Sequence, residues 1–207
     1  EQTKMIFLCS PNNPTGTLFS EAEVEKLLNN FKGLVVIDEA YIDFSETESR
    51  SKKLTEYPNL VVTQTLSKAY GMAGIRLGIC FASEEIITVL IKIKPPYNIN
   101  SLTQEKAIHR LKNPLDIKNE INSLIKGKNE LYKALLEVDF INEIIPSEAN
   151  FILCRVDNAT KRYDQLVEKG IVVRNRSSQP LCENTLRFTV GTPKENELLI
   201  TTLKKLQ

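Results

Sequence analysis

Residues 60–82 read LVVTQTLSKAYGMAGIRLGICFA, in which two short apolar runs, residues 60–62 and 78–82, enclose a more polar segment. Short apolar runs of this kind are typical of strands that are buried on both faces of a sheet. Similar runs occur at residues 5–9 and 34–37, and segments with helical character separate the runs along the chain. An alternation of buried strands and helices predicts an α/β fold with a mostly parallel sheet.

Prolines divide the chain into two predicted domains. Pro95 and Pro96 interrupt the helical pattern, and Pro114 follows the next helix. We therefore expect residues 1–114 to form the remainder of a larger domain that contains the mostly parallel sheet. Residues 115–207 are expected to form a smaller α+β domain, in which a long helix precedes the strands. The predicted strands of this second domain cover residues 151–156, 171–173 and 186–190.

Composition excludes several classes of function. The 27 Lys and Arg residues balance the 26 Asp and Glu residues, and the net charge of +1 provides no general attraction for nucleic acid or an acidic membrane. No apolar run approaches the ~18 residues of a membrane helix. His109 is the only histidine, which excludes histidine triads and imidazole metal clusters. The scattered cysteines form no CxxC pair, which predicts reduced thiols in a cytoplasmic protein.

Polar clusters follow the predicted strands of the first domain. They are SPNNPTG at residues 10–16, DEAY at residues 38–41 and TLSKAYGMAGIR at residues 65–76. In open α/β sheets ligands bind where the carboxyl ends of the strands meet, so the clusters are expected to converge on one crevice. Taken singly, each has a structural explanation: Asn-Pro-Thr-Gly suits a turn, Asp38 suits a helix cap, and Lys68 suits a solvated surface. Their occurrence together is therefore the informative feature.

In this order, the clusters resemble the fold type I family of pyridoxal-phosphate enzymes, and among these the aminotransferases. The markers are the NPTG turn, the Asp-x-x-Tyr after an apolar strand, and the Ser-Lys pair that an arginine follows eight residues later. All of them are present without a departure from the pattern. The resemblance covers most of the chain. It implies a pyridoxal 5'-phosphate cofactor bound by the larger domain.

The resemblance assigns catalytic roles that suit the chemistry of two of these residues. Asp38 is expected to keep the ring nitrogen of the cofactor protonated, because a carboxylate beside that nitrogen stabilises its positive charge. Lys68 is expected to attach the cofactor covalently through its ε-amine. Once substrate displaces it, the free amine can move a proton as base and then as acid.

The remaining markers are expected to orient the cofactor. Asn13 and Tyr41 carry an amide and a phenol, which suit the phenolic oxygen of the ring, and Tyr41 also counts among the expected catalytic residues. The phosphate group is expected to bind Thr65, Ser67 and Arg76, because hydroxyls and a guanidinium are good phosphate donors.

Two arginines of the C-terminal half are candidate substrate ligands: Arg174 in IVVRNR and Arg187 in TLRFTVGT. With EANFILCRV at residues 148–156, these motifs resemble the aminotransferases of histidine biosynthesis that act on histidinol phosphate. There, an arginine pair holds the anionic end of each substrate. The resemblance thus implies histidinol phosphate, glutamate and 2-oxoglutarate as substrates. Arg176 competes with Arg174, because strand alternation puts both on one face; motif position favours Arg174.

The resemblance also has implications for the whole enzyme. Members of the family are dimers whose active sites use residues of both chains, and a glycine-containing phosphate-binding turn precedes the markers quoted above. We therefore expect a C-terminal fragment of a homodimeric enzyme, inactive by itself. The open alternatives are another enzyme of this fold type, such as threonine-phosphate decarboxylase or a different amino-acid aminotransferase, and a non-catalytic pyridoxal-phosphate-binding domain.

Overall fold

The computed structural model describes residues 2–206, which divide into two compact units. The first unit contains the described residues up to Asn12 and Leu18–Lys118; the second contains Asn13–Thr17 and the described residues from Asn119 onwards. Glu1 and Gln207, the outermost residues of the two predicted domains, lie outside the described residues. The division falls after Lys118, inside the helix that starts at Pro114.

The first unit is built on a four-stranded sheet with the order β1-β2-β3-β4. Its strands are β1 (Met5–Cys9), β2 (Leu34–Asp38), β3 (Leu60–Thr65) and β4 (Gly78–Ala82). β1, β2 and β3 are parallel to one another, and β4 pairs with β3 in the antiparallel sense. The predicted α/β fold with a mostly parallel sheet is therefore confirmed.

Three α-helices of the first unit each begin after a capping side chain, which is Ser20, Ser83 and Asn100 in turn. They are α1 (Glu21–Asn30), α2 (Glu84–Ile93) and α3 (Ser101–Leu111). α1 begins with a complete capping box, in which Ser20 and Glu23 satisfy each other's backbone N–H groups. Its apolar side packs on β2 and β3 to form the core, which consists of Val24, Leu28, Val35, Ile37, Leu60 and Val62.

The second unit is a four-stranded antiparallel sheet with helices. Its helices are α4 (Pro114–Leu135), which begins in the first unit, α5 (Ala159–Glu168) and α6 (Pro193–Lys205). Its strands are β5 (Ile141–Ile145), β6 (Phe151–Val156), β7 (Arg174–Asn175) and β8 (Thr185–Thr189), in the order β5-β6-β8-β7. The predicted strand at residues 171–173 is wrong: the pairing begins at Arg174, because the residues after α5 still close the helix end, with Ile171 N–H bonded to Leu166.

The two faces of the second sheet differ in character. Ile152 and Cys154 of β6 and Leu186 and Phe188 of β8 join the core with residues of α4, α5 and α6. Side chains alternate along a strand, so Arg187 belongs to the opposite face. This opposite face also carries the buried apolar residues Phe151 and Leu153, so arginine and apolar side chains occur on it together.

Three further properties concern residues 2–206. No helix in this range has the length and apolar character needed to cross a membrane. The same residues contain no group of three or more His, Cys, Asp or Glu side chains arranged to hold a metal ion. Cys80, Cys154 and Cys182 are free thiols, and the thiol of Cys9 donates to the carbonyl of Pro11 at 3.4 Å.

Candidate active site

The carboxyl edge of the first sheet carries the candidate residues of the first unit. Because β1, β2 and β3 are parallel, Cys9, Asp38 and Thr63 lie side by side near this edge. The antiparallel β4 starts opposite the end of β3, so the intervening loop, residues 66–77, lies at the same edge. The structure therefore brings together these predicted residues of the first unit: Asp38, Tyr41, Thr65, Ser67, Lys68 and Arg76.

Asp38 ends β2 and is half-buried. Its Oδ1 accepts the backbone N–H of Ala40 at 3.1 Å and the hydroxyl of Thr63 at 3.4 Å. Tyr41 directly precedes a 3₁₀ helix at Ile42–Phe44, and it is 6% exposed. The turn after β2 thus supplies an oriented carboxylate and a buried phenol.

Lys68 is exposed, and its Nζ lies 5.3 Å from the centre of the Tyr41 ring. The backbone around it is fixed: Lys68 accepts the N–H of Gly71 at 3.0 Å, and Leu66 accepts the N–H of Met72 at 2.9 Å. A held backbone with an exposed amine suits a nucleophile that must leave and return to one position.

The hydroxyl of Thr65 is used within the loop. It donates to the carbonyl of Leu77 at 3.3 Å and accepts the backbone N–H of Ser67 at 3.1 Å. Thr65 therefore shapes the turn that carries Ser67 and Lys68.

Arg76 lies at the other end of the loop, just before β4. Its backbone is left-handed, with φ of 56°, a conformation uncommon for a residue with a side chain. The guanidinium is exposed and donates to the carbonyl of Ala73 at 2.9 Å. A short turn thus presents a cation at the same edge as Lys68.

Asn13 lies in the second unit, together with Arg187. Arg187 Nη1 donates to Asn13 Oδ1 at 2.7 Å, and its guanidinium stacks 4.6 Å from the centre of the Phe151 ring. The short segment that bears Asn13 is anchored at Gly16, whose carbonyl accepts the N–H of Glu148 at 2.8 Å. Sequence spacing gave no sign of this link, because Asn13 and Arg187 are far apart along the chain.

The three candidate arginines share one face of the second sheet. Arg174 pairs directly with Arg187 across β7 and β8, and Arg176 N–H continues the ladder to the carbonyl of Thr185 at 2.9 Å. Directly paired residues project on the same side, as do residues two apart on one strand. Arg174 is exposed, whereas Arg176 is half-buried. The direct pairing with Arg187 favours Arg174 as the second substrate ligand.

Sequence reasoning did not single out Arg155 of β6. Its guanidinium donates to the carbonyl of Glu183, to the carbonyl of Leu181 at 3.4 Å and to Glu143 at 3.2 Å. Arg155 thereby holds the loop between β7 and β8. The sequence does place Arg155 on the same face of its strand as Phe151. That position alone does not show whether an arginine supports the structure or binds a ligand.

The donor set of the first unit fits pyridoxal phosphate. Asp38 offers an anion to a protonated ring nitrogen, and Lys68 offers an exposed amine to an aldehyde. Ser67 and Arg76 offer a hydroxyl and a guanidinium to a phosphate. These side chains are complementary to the ring nitrogen, the aldehyde and the phosphate group of that cofactor.

Comparisons with known proteins agree with this chemistry. Residues 1–203 match the sequence profile of the family described as aminotransferase class I and II. A histidinol-phosphate aminotransferase from Flavobacterium johnsoniae is 67% identical over 206 residues, which cover 100% of this chain and 59% of that protein. The chain thus spans about three fifths of the length of this relative.

Solved structures are similar as well. The crystal structure of the histidinol-phosphate aminotransferase from Clostridium acetobutylicum superposes with a TM-score of 0.92 at 28% identity, covering 98% of this chain and 64% of that one. The structure of L-threonine-O-3-phosphate decarboxylase from Porphyromonas gingivalis gives a TM-score of 0.86 at 28% identity, with the same coverage of 98% and 64%. Since the family profile extends over nearly all of its residues, the chain belongs to the class I and II aminotransferase family.

Proposed function

We propose that the enzyme to which this chain belongs is a pyridoxal-phosphate-dependent transaminase of histidine biosynthesis. It would exchange the amino group between L-histidinol phosphate and the glutamate/2-oxoglutarate pair. The observation that carries the proposal is the exposed Lys68 amine, 5.3 Å from the Tyr41 ring and at the same sheet edge as Asp38. The named relatives support the choice of substrate.

The residues of the first unit would hold the cofactor and control its charge. Pyridoxal phosphate, when bound, supplies an electron sink for cleavage of a bond at the substrate carbon. Asp38 would hold a proton on the ring nitrogen, and Tyr41 would donate to the phenolic oxygen, a role that Asn13 would share. Ser67 and Arg76 would bind the phosphate, and Thr65 would support them by holding the turn.

Lys68 would carry the proton transfer. Its Nζ would act as a base and take a proton from the substrate carbon. It would then act as an acid and deliver the proton to the cofactor carbon on the other side of the transferring nitrogen. The backbone hydrogen bonds around Lys68 would keep the base of its side chain in one place throughout.

Arg187 and Arg174 would bind the substrates. A carboxylate fits one guanidinium fork, whereas a phosphate has enough oxygen atoms to engage both. The Arg187–Asn13 hydrogen bond would orient the Arg187 fork before substrate arrives.

We also propose that the enzyme is a cytoplasmic homodimer. The free thiols of Cys80, Cys154 and Cys182 support a reducing compartment, and the resemblance to dimeric aminotransferases supports the assembly. Light scattering of the full-length enzyme would measure the assembly directly.

Threonine-phosphate decarboxylase is the second candidate. The structural similarity to the Porphyromonas gingivalis decarboxylase favours it, because both activities need a cofactor site and a phosphate site. The two reactions differ in which bond at the substrate carbon breaks, which substrate orientation decides.

The test is an assay of the full-length holoenzyme. With histidinol phosphate and 2-oxoglutarate we expect glutamate to form, and with threonine phosphate we expect no carbon dioxide. Lys68→Ala is the control for background transfer, because it removes the proposed proton carrier. Carbon dioxide release from threonine phosphate without amino transfer from histidinol phosphate would establish the second candidate instead.

A further inference from the structure

Glu39 is a buried acid that none of the proposed roles uses. It follows Asp38 directly and is 1% exposed. Its Oε1 accepts the backbone N–H of Arg50 at 2.8 Å, and its Oε2 accepts the Ser49 hydroxyl at 2.5 Å and the Gln64 amide at 3.0 Å. A carboxylate buried to this degree is costly unless its oxygens are satisfied, so these hydrogen bonds hold Glu39 firmly.

The partners of Glu39 belong to different parts of the first unit. Ser49 caps the 3₁₀ helix Arg50–Lys53, in the excursion that the chain makes between β2 and β3. Gln64 lies in β3, one residue before Thr65, and its amide also donates to Ser49 Oγ at 3.0 Å. The Glu39 carboxylate therefore connects the end of β2, the excursion and the end of β3 through one set of hydrogen bonds.

These connections lie beside the candidate catalytic residues. Glu39 stands between Asp38 and Tyr41 in the chain, and Gln64 shortly precedes Lys68. The sheet ladder ends nearby, where Glu39 N–H donates to Thr63 O at 2.8 Å. Beyond that point, the side-chain hydrogen bond between Gln64 and Glu39 links the segment after β2 to the end of β3.

We propose that Glu39 is a positioning residue that holds the segment of Asp38 and Tyr41 in register with the segment of Lys68. The proposal rests on the proposed function, in that these three residues must act on one cofactor. Glu39 acts through its neighbours. A displacement on the order of 1 Å between catalytic groups can lower a rate about a hundredfold, so this register controls kcat.

The experiment exchanges the charge between the two partners in the full-length holoenzyme. Gln64→Glu alone places a second carboxylate beside that of the buried Glu39. Glu39→Gln with Gln64→Glu restores the pattern: the new amide accepts from Arg50 and donates to the new carboxylate, and Ser49 can donate to that carboxylate because it already contacts Gln64. Gln64→Met is a milder variant that removes the contact without adding charge, and Glu46→Gln, at an exposed acid of the same excursion, is the matched control.

The readouts are kcat and KM for amino transfer and the visible absorption of the bound cofactor at one pH. We expect Gln64→Glu and Gln64→Met to lower kcat about ten- to a hundredfold, with little change in KM and an altered absorption band. The double variant is expected to recover kcat to within about threefold of wild type, and Glu46→Gln to match wild type.

Two results would overturn the proposal: variants that lower only the melting temperature while kcat and the absorption band stay unchanged, and a double variant no better than Gln64→Glu. If Gln64→Glu does not fold, Gln64→Met decides by the same criteria. A wild-type enzyme that binds the cofactor but does not transaminate histidinol phosphate would reject the proposed function alone, and the absorption comparison would then decide about Glu39.

Discussion

At the scale of single residues, the chemistry depends on how each polar atom is held. Asp38 Oδ1 has two donors within the chain, Ala40 and Thr63, which fix the direction of the carboxylate. An asparagine in this place can accept the same hydrogen bonds through its carbonyl oxygen. The Asp38→Asn variant therefore separates charge from shape.

We predict that Asp38→Asn in the full-length enzyme keeps the fold and the cofactor but slows the half-reaction with histidinol phosphate by several powers of ten. The neutral amide cannot stabilise the positive ring nitrogen, and each decade corresponds to about 1.4 kcal/mol in the barrier. Rapid-mixing absorption measurements would give the rate, with Asp116→Asn as a control at an exposed acid. A near-normal rate would remove Asp38 from the proposed role.

The arginine pair makes a second prediction at this scale. Arg187→Ala should weaken both glutamate and histidinol phosphate, by roughly 2–4 kcal/mol each, because it removes the charged partner of either anion. Arg174→Ala should weaken histidinol phosphate more than glutamate, since only a phosphate can engage both guanidinium groups. Half-reaction kinetics of each variant with each substrate would check this. Equal losses for both substrates in Arg174→Ala would make Arg176 the better candidate.

The candidate site residues were predictable from the sequence, but their hydrogen-bond partners in the fold were not. The motif order was enough to single out Asp38, Lys68 and Arg76 as candidates. The contact of Arg187 with Asn13 depends on tertiary folding, and local periodicity contains no information on it. Glu39 was overlooked because nothing in DEAY distinguishes a buried acid from an exposed one.

At the scale of elements, the most informative piece is the short segment Asn13–Thr17, which belongs to the second unit although the residues on both sides of it belong to the first. Gly16 anchors it with φ of +80°, and a Cβ at this position would lie 2.1 Å from Ser147 Oγ. Both the conformation and the space require glycine. The same segment carries Asn13 to Arg187.

We predict that Gly16→Ala destabilises the protein more than Gly170→Ala does. Both glycines have positive φ, which costs an alanine about 1 kcal/mol. Only Gly16 adds a clash, with Ser147, worth roughly 1–3 kcal/mol more; nothing lies within 4 Å of a Cβ at Gly170. Denaturant unfolding of the two variants measures the difference. Equal destabilisation would mean that the segment moves away from Ser147 at little cost.

Strand positions followed from the sequence where the pattern was strong. The apolar runs at residues 5–9 and 78–82 correspond to the full length of β1 and of β4. β7 was misplaced and β5 was missed. β7 has only two residues, and β5 mixes polar and apolar residues without strict alternation, so period alone could not identify either strand.

At the scale of the whole molecule, Lys128 provides a pH-dependent contribution to stability. It is 9% exposed, and its ammonium group donates to the carbonyl of Ser147 at 2.7 Å. Burial lowers the pKa of Lys128 below its usual value, and the negative charge of Glu148 partly opposes this. The unfolded chain therefore binds more protons at this lysine than the folded chain does, at pH values between the lowered pKa and the usual one.

Stability contributed by Lys128 must accordingly rise with pH over that interval, which ends near the ordinary lysine pKa of about 10.4. We predict that the difference in unfolding free energy between wild type and Lys128→Met shifts in favour of wild type as pH increases towards that value. Lys126→Met, at an exposed position of the same helix, should show no such trend. Unfolding curves at several pH values would reveal a flat difference if Lys128 were fully solvated.

The division into two units was predictable only in outline. A proline-rich interval indicated a change of organisation near residue 114, but α4 continues through the division and the excursion of Asn13–Thr17 has no counterpart in the sequence pattern. The placement of Asn13–Thr17 depends on contacts with distant residues of the second unit, Glu148 and Arg187. The function proposed for the whole enzyme joins residues of both units in one reaction.

The most direct test of that function is to reduce the full-length holoenzyme with borohydride and map the modified peptide by mass spectrometry. We predict that the cofactor is found on Lys68 in the resting enzyme, is no longer attached to Lys68 after excess histidinol phosphate, and returns to Lys68 when 2-oxoglutarate is added. Attachment to a different lysine, or a Lys68 label that survives histidinol phosphate, would contradict the account.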